Sequence, residues 1–293
     1  MFRYSNSVIL AAILLLASCK EKGPIISPDD GQAKIGDTTY LLETVPAADT
    51  KNVLFEEFTG VKCANCPQAR RLIEGIAKNY PDRVHVIAYH FKNSGFTIPY
   101  TGTSNYDFRT DDATNMVNFL SVTGDDWGLP TGSVSRLFFK SGLLNGRENW
   151  GIMTDEVLKG KPTANISISS TYDADKSEAI IKVKLTYLEE TKGKQAMTVA
   201  ITESNMIDIQ LESGFIDTFY RHDHVLRKII TLHSGDPVLN DIETKEPGRV
   251  YEKTLIAKVD AAWKPENCHI VAFAHNNNVD NKEILQVAEV TLK

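Results

Sequence analysis

The stretch VLFEEFTGVKCANCPQARR (Val53–Arg71) decides how this chain is read. Val53–Phe58 is dense in large apolar side chains, interrupted by Glu56 and Glu57, and predicts a strand. Beyond it, Ala69, Leu72, Ile73, Ile76 and Ala77 recur at helical spacing, which predicts a helix over 64–79. Val84–Phe91 is a continuous apolar run, as a strand covered on both faces requires. Strand, helix and strand in that order imply a right-handed parallel crossover.

Cys63 and Cys66 stand at the start of the predicted helix, spaced C-x-x-C and followed by Pro67. The spacing admits three readings: half a zinc site, a structural staple, or a working redox pair. Structural zinc needs four ligands. No second cysteine pair and no His-x-x-x-His follow, and His222 and His224 are two apart in a distant segment, so no metal and no cofactor are expected. For redox chemistry each part has a physical reason. Free backbone N–H groups and the helix dipole favour a thiolate at Cys63, and Lys62 adds positive charge. Cys66, one turn in, would lie against the core as the resolving partner. Pro67 sits near the helix start, where its missing N–H costs little.

With these residues in view the chain resembles the thioredoxin superfamily, on Val53–Phe58, Cys63-Ala64-Asn65-Cys66-Pro67 and Leu129-Pro130-Thr131. The resemblance implies a cis-proline loop at Pro130 facing the cysteine pair, where it binds an extended substrate. It also implies a buried acid six residues before the first cysteine. Glu57 holds that place, where aspartate is usual, and would take the proton of the resolving thiol. Beside that role stands a plainer one, a carboxylate at the strand end, solvated or paired with Arg70 or Arg71. The chain departs from the family at Lys62, where an aromatic residue is usual, and in the Ala-Asn interior of the pair. Both departures alter redox poise.

The N-terminus speaks to compartment. One charge at Arg3, an apolar run from Val8 to Leu16, and Leu16-Ala17-Ser18-Cys19 have the layout of an export signal. The run is shorter than the ~20 residues a membrane span needs. Its end resembles the lipobox of bacterial lipoproteins, which implies cleavage after residue 18 and lipidation of Cys19. The chain carries 32 Lys and Arg against 38 Asp and Glu; removing residues 1–18 removes Arg3 and takes the net charge from -6 to -7. That balance argues against nucleic acid as a partner. Export favours disulfides. Of the four cysteines, Cys19 takes lipid, Cys63 and Cys66 pair, and Cys268 reads as a small buried hydrophobe.

Residues 19–38 read as a lipidated tether. A first strand is expected over 40–45, a loop rich in Gly, Ser, Thr and Asn over 93–106, a helix over 107–120, a strand over 134–139 and a closing helix over 149–158. After Pro162 the pattern changes to short runs of period two, at Ile166 and Ile168, at Ile181 to Tyr187, and at Met197 to Ile201. Further strands are expected over 225–232, 250–256, 270–275 and 284–292. These point to a β-sandwich. The expected architecture is therefore an α/β thioredoxin-like domain over 39–160, followed by an all-β immunoglobulin-like sandwich over 161–293.

Arg221-His222-Asp223-His224 reads either as a polar cluster meeting the first domain or a ligand, or, more plainly, as ordinary strand-entrance packing. His90 ends a strand on the side where sites of parallel α/β units gather, near Cys63 or merely capping the strand. The aromatics between Tyr100 and Trp127 line a groove or belong to a core.

Taken together, "VLFEEFTGVKCANCPQA", "GLPTGSVSR" and "RHDHVLR" resemble the Omp-twenty-eight-related family of outer-membrane lipoproteins. That resemblance implies a thioredoxin-like domain joined to an immunoglobulin-like one, anchored in the outer membrane by lipid and facing the periplasm or the cell surface. The reading that follows is a lipoprotein exchanging disulfides through Cys63 and Cys66, with protein or peptide thiols and disulfides as partners. Its alternative is a surface binding or adhesion protein with an unknown surface partner, in which the disulfide is static.

Overall fold

A computed structural model describes residues 34–121, 128–140 and 142–293. The expected signal segment, Cys19 and Trp127 lie outside the described residues. The first half runs β1 (Lys34–Leu41), β2 (Val53–Phe58), α1 (Cys66–Asn79), β3 (Val84–Tyr89), α2 (Asp111–Leu120), β4 (Thr131–Val134) and α3 (Trp150–Lys159). The rest is strand: β5 (Ala164–Asp173), β6 (Glu178–Tyr187), β7 (Thr191–Lys192), β8 (Gln195–Glu203), β9 (Met206–Glu212) and β10 (Phe215–His222). There follow β11 (Val225–Ile229), β12 (Asp236–Val238), β13 (Thr244–Lys245), β14 (Arg249–Lys258), β15 (Cys268–Asn276) and β16 (Ile284–Thr291).

The protein is mostly β, in several sheets. β2 and β3 pair in parallel around the α1 crossover, from Val53 opposite Val84 to Phe58 opposite Tyr89. β4 runs antiparallel to β2. This sheet does not stop at the expected boundary near Pro162. Its order is β16-β15-β8-β11-β3-β2-β4, with β12 beside β8, so strands from both sides of that proline share it. The sheet curls until its two edges touch, where the Ile284 N–H donates to the Ser135 carbonyl just beyond β4 (3.0 Å). A second sheet, β1-β14-β6-β5, packs against one face of β8 and β15.

Period-two alternation distributes the core. On β15, Ile270, Ala272 and Ala274 face the four-stranded sheet, while Val271 and Phe273 join the cluster around α2. On β2, Leu54 and Phe58 also join the α2 cluster, and Val53 and Phe55 face α1 and α3 with Ala69, Ile73, Trp150 and Met153. Glu56 and Glu57 obey the same rule and are buried on opposite faces.

Several boundaries differ from expectation. The tether ends earlier than residue 38, because Lys34–Leu41 forms an edge strand on β14; its polar sequence suits an exposed edge. The strand expected over 134–139 is instead β4, which ends at Val134. Ser135 and Arg136 follow at φ 49° and 54°, turning the chain and sending Arg136 inward to Glu56. The helix expected from 107 starts at Asp111, where Thr110 Oγ1 accepts from the Ala113 N–H as a cap. α1 starts at Cys66, not 64, since the Cys66 N–H closes a turn onto the Cys63 carbonyl (3.1 Å).

Candidate functional site at the Cys63–Cys66 disulfide

Cys63 and Cys66 form a disulfide, with 5.4 Å between their Cα atoms. The preceding loop is tightly held. The Cys63 N–H donates to the Gly60 carbonyl (3.0 Å) and the Lys62 N–H to the Phe96 carbonyl (2.8 Å). A Cβ at Gly60 would stand 2.5 Å from the Phe96 carbonyl oxygen, which explains the glycine there. Cys63 occupies the turn before α1, and Cys66 is the first residue of the helix with Pro67 behind it. The Lys62 ammonium lies over the Tyr100 ring, 4.8 Å from its centre. Arg147 pins the turn from outside, donating to the Asn65 carbonyl (3.2 Å).

Leu129–Pro130 is a cis peptide bond, immediately before Thr131. Thr131 pairs with Phe58, the last residue of β2, so Pro130 stands at the same end of the sheet as the loop that leads to Cys63. Asn145 secures that end of β4 through paired backbone bonds with Gly132 (3.0 and 2.8 Å), and its carbonyl accepts from Trp150 Nε1 (2.9 Å).

Glu57 lies on the α1 side of β2 and is 2 % exposed. Burial pushes its carboxyl up to about 7; Arg70 opposes the shift and Glu74 adds to it. Arg70 is the nearer of the two arginines considered from sequence, its Nη1 3.9 Å from Glu57 Oε2, while Arg71 is committed elsewhere. Glu57 and Cys66 line one narrow crevice with Pro67, Arg70, His90 and His222. It offers about 20 Å³ to the centre of a water molecule, room for roughly one water. Burial also drives both histidines down, His90 to about 3 and His222 to about 4, so both are neutral at pH 7. Glu57 Oε1, Arg70 Nη1, His90 Nδ1 and His222 Nε2 are buried with no hydrogen-bond partner in the protein.

The disulfide has a roof that local sequence around Cys63 and Cys66 does not signal. β9 and β10 form a two-stranded ribbon whose strands, among the described residues, pair only with each other. Gln210 on β9 donates Nε2 to the carbonyls of Gly60 and Cys63, both at 3.2 Å. The Leu211 N–H donates to the Val61 carbonyl (2.8 Å). Glu212 takes a two-pronged bond from Arg71 on α1 (2.8 and 3.2 Å). Under this cover Cys63 is 3 % and Cys66 2 % exposed. The local clue was Ser213-Gly214 between two alternating runs, a two-residue hairpin loop with Gly214 at φ 94°.

His222 and His90, weighed as packing or as site, meet under the ribbon: their ring centres are 6.4 Å apart and Phe108 lies 4.6 Å from His222. Asp223 and His224 are at the ribbon's base. Cys268 is buried in the sandwich core, far from any ligand role, and burial pushes its thiol up to about 12. Among the described residues no cluster of three or more His, Cys, Asp or Glu side chains is arranged to hold a metal ion. No described helix is long and apolar enough to cross a membrane.

Comparisons with known proteins bear on this architecture. A family model described as "Outer membrane protein Omp28" matches residues 122–293, more than half of the chain. The match begins after the cysteine pair. The structure is similar to HBP35 of Porphyromonas gingivalis, with a TM-score of 0.61 and 19% identity, over 84% of this chain and 77% of that one. It is also similar to the crystal structure of a protein from Agrobacterium tumefaciens, with a TM-score of 0.50 and 13% identity, over 84% and 97%. No curated protein matches the sequence.

Proposed function

The chain belongs to the Omp28 outer membrane protein family, and from that premise we propose that it is an envelope lipoprotein whose Cys63–Cys66 pair exchanges disulfides with protein or peptide partners. One observation carries the reading: a buried carboxyl, Glu57, whose pKa is raised to about 7, shares a crevice with the second cysteine of a C-x-x-C pair at a helix start. A static staple has no use for an acid poised near neutral pH, whereas a resolving thiol needs a proton acceptor. The parallel β2-α1-β3 unit, the antiparallel β4 and the cis peptide before Thr131 support a thioredoxin-like first half.

In the proposed exchange, the Cys63 thiolate attacks a substrate disulfide. A mixed disulfide forms and one substrate sulfur leaves as thiolate. Cys66 gives its proton to the ionised Glu57 and attacks Cys63 Sγ. The Cys63–Cys66 bond forms, the second substrate thiolate leaves, and two electrons have passed to the substrate. Pro130 orients the substrate strand. A signal peptide over 1–18 would direct export and be removed, and lipid on Cys19 would hold the protein to the outer membrane.

The burial of both sulfurs favours a second reading, a surface binding protein with a fixed disulfide. Titrating the pair against glutathione separates the two. A reduction potential of about -200 mV, with insulin-disulfide reduction lost in Cys63→Ser, supports exchange; a value below about -300 mV with no turnover supports the static disulfide.

A further inference from the structure

We propose that the β9–β10 ribbon is a hinged cover over the Cys63–Cys66 disulfide, and that partners reach the sulfurs only when it lifts while the rest of the fold stays intact. The inference builds on the exchange reading above, but the motion it describes can be measured without turnover.

Three observations carry it. First, the ribbon is what closes the site. Gln210, Leu211 and Glu212 contact the loop before Cys63, the Cys63 carbonyl and α1, and both cysteines are almost fully buried. An attacking thiol must approach along the S–S axis, and the crevice at Cys66, with room for one water, admits none.

Second, the ribbon is held to the body by few apolar contacts. Among the described residues its strands share a β-ladder only with each other, and an isolated two-stranded ribbon is marginal in water. A small apolar cluster seats its base on the body, with Met206 packed among Val61, Phe108 and Val225, and Ile209 is buried further along β9. Beyond that cluster the attachments are polar: Asp208 accepts from the Asn105 and Tyr106 N–H groups (3.0 and 2.9 Å), Gln210 donates to backbone carbonyls, the Leu211 N–H donates to the Val61 carbonyl, and Glu212 holds Arg71, whose side chain is 54% exposed. Its second strand carries Phe215 and Phe219, 60% and 82% exposed.

Third, both ends of the ribbon have the backbone of a hinge. Asn205 enters it at φ 63° and His224 leaves it at φ 57°, in the left-handed region that side-chain-bearing residues seldom adopt. The two ends are clasped to each other: the Asn205 N–H donates to Asp223 Oδ1 (2.8 Å) and the His224 N–H to Ser204 Oγ (3.0 Å). Rotation about these two positions would swing the ribbon as a unit. β8 and β11, which flank it, would stay paired in the large sheet.

Cys268 supplies an internal control, since it is buried between the sandwich sheets and becomes accessible only when they part. The oxidised full-length protein is incubated with a phosphine reductant and a maleimide, and labelling is followed at each cysteine by peptide mass spectrometry. Lifting of the cover predicts that Cys63 and Cys66 are labelled at least about tenfold faster than Cys268, and slower than in urea-unfolded protein. Glu212→Gln, which weakens the outer attachment, raises the Cys63 and Cys66 rate about two- to fivefold and leaves Cys268 unchanged. Arg71→Gln repeats that effect from the other side. Labelling of all three cysteines together overturns the proposal, because the site then opens only by global unfolding. So does labelling of the pair as fast as in the unfolded chain, or an unchanged rate in both variants. A reduction potential below about -300 mV would remove the exchange reading and leave this measurement standing.

Discussion

Replacing Glu57 by glutamine should strengthen the fold at neutral pH. Burial raises the folded-state pKa from 4.5 to about 7, so ionising this carboxyl in the native protein costs about 3 kcal/mol more than in the unfolded chain. Below pH 4.5 the acid is protonated in both states and the burial carries no charge penalty. As pH rises the unfolded chain loses its proton first. The stability associated with the retained proton is lost through the window from 4.5 to about 7, and the full cost applies above it. Glutamine keeps the shape and has no charge to bury. Urea unfolding of oxidised wild-type and Glu57→Gln proteins, at pH steps from 4 to 8, should therefore give a difference that grows in favour of the variant by about 3 kcal/mol across that window. The attraction of Arg70 is already contained in the raised value, so it changes neither the window nor the size of this difference. A difference independent of pH would refute the reasoning, since it would mean that Glu57 keeps an ordinary pKa. The same variant should resolve mixed disulfides more slowly, so one substitution would stabilise the protein and impair it.

Two further perturbations test the architecture. Arg136→Met leaves Glu56 as an unpaired charge where both partners were fully buried, and also removes the guanidinium over Phe273; a loss of about 3–5 kcal/mol by urea unfolding is expected, largely recovered in the Glu56→Leu, Arg136→Met double variant. Glu289 accepts from His85 and His269 at 3.0 and 2.9 Å, and these bonds help bring its pKa down to about 2 against the cost of burial; its stabilisation is present above pH 4.5 and lost as pH falls towards 2, so the acid limb of the stability curve should flatten in Glu289→Gln.

The parts of this site that could be read from the sequence are those written in local residue order. The helical spacing of Ala69, Ile73 and Ile76, the apolar run of β3 and the C-x-x-C-P sequence are statements about neighbours, and backbone geometry converts them directly into an element and a buried face. The strand over 270–275 was likewise legible in an apolar run, although the sequence did not say that its two faces serve two different cores. Glu56 and Glu57 were legible only as an interruption in an apolar strand. Their separate fates, one paired with an arginine 80 residues away and one poised beside a cysteine, depend on which face each occupies and on what arrives there from distant chain.

Sequence alone determined the cysteine pair, its helix, and the strands on either side, because each rests on contacts within a few residues. Tertiary structure decided that the pair is covered, that Glu57 is buried, and that strands beyond Pro162 extend the first sheet. Gln210 reaches the Cys63 carbonyl across 147 residues of chain, and no local propensity encodes a bond of that separation. Burial is a property of everything packed around a group, so the pKa of Glu57 and the accessibility of the sulfurs are set only in the assembled fold.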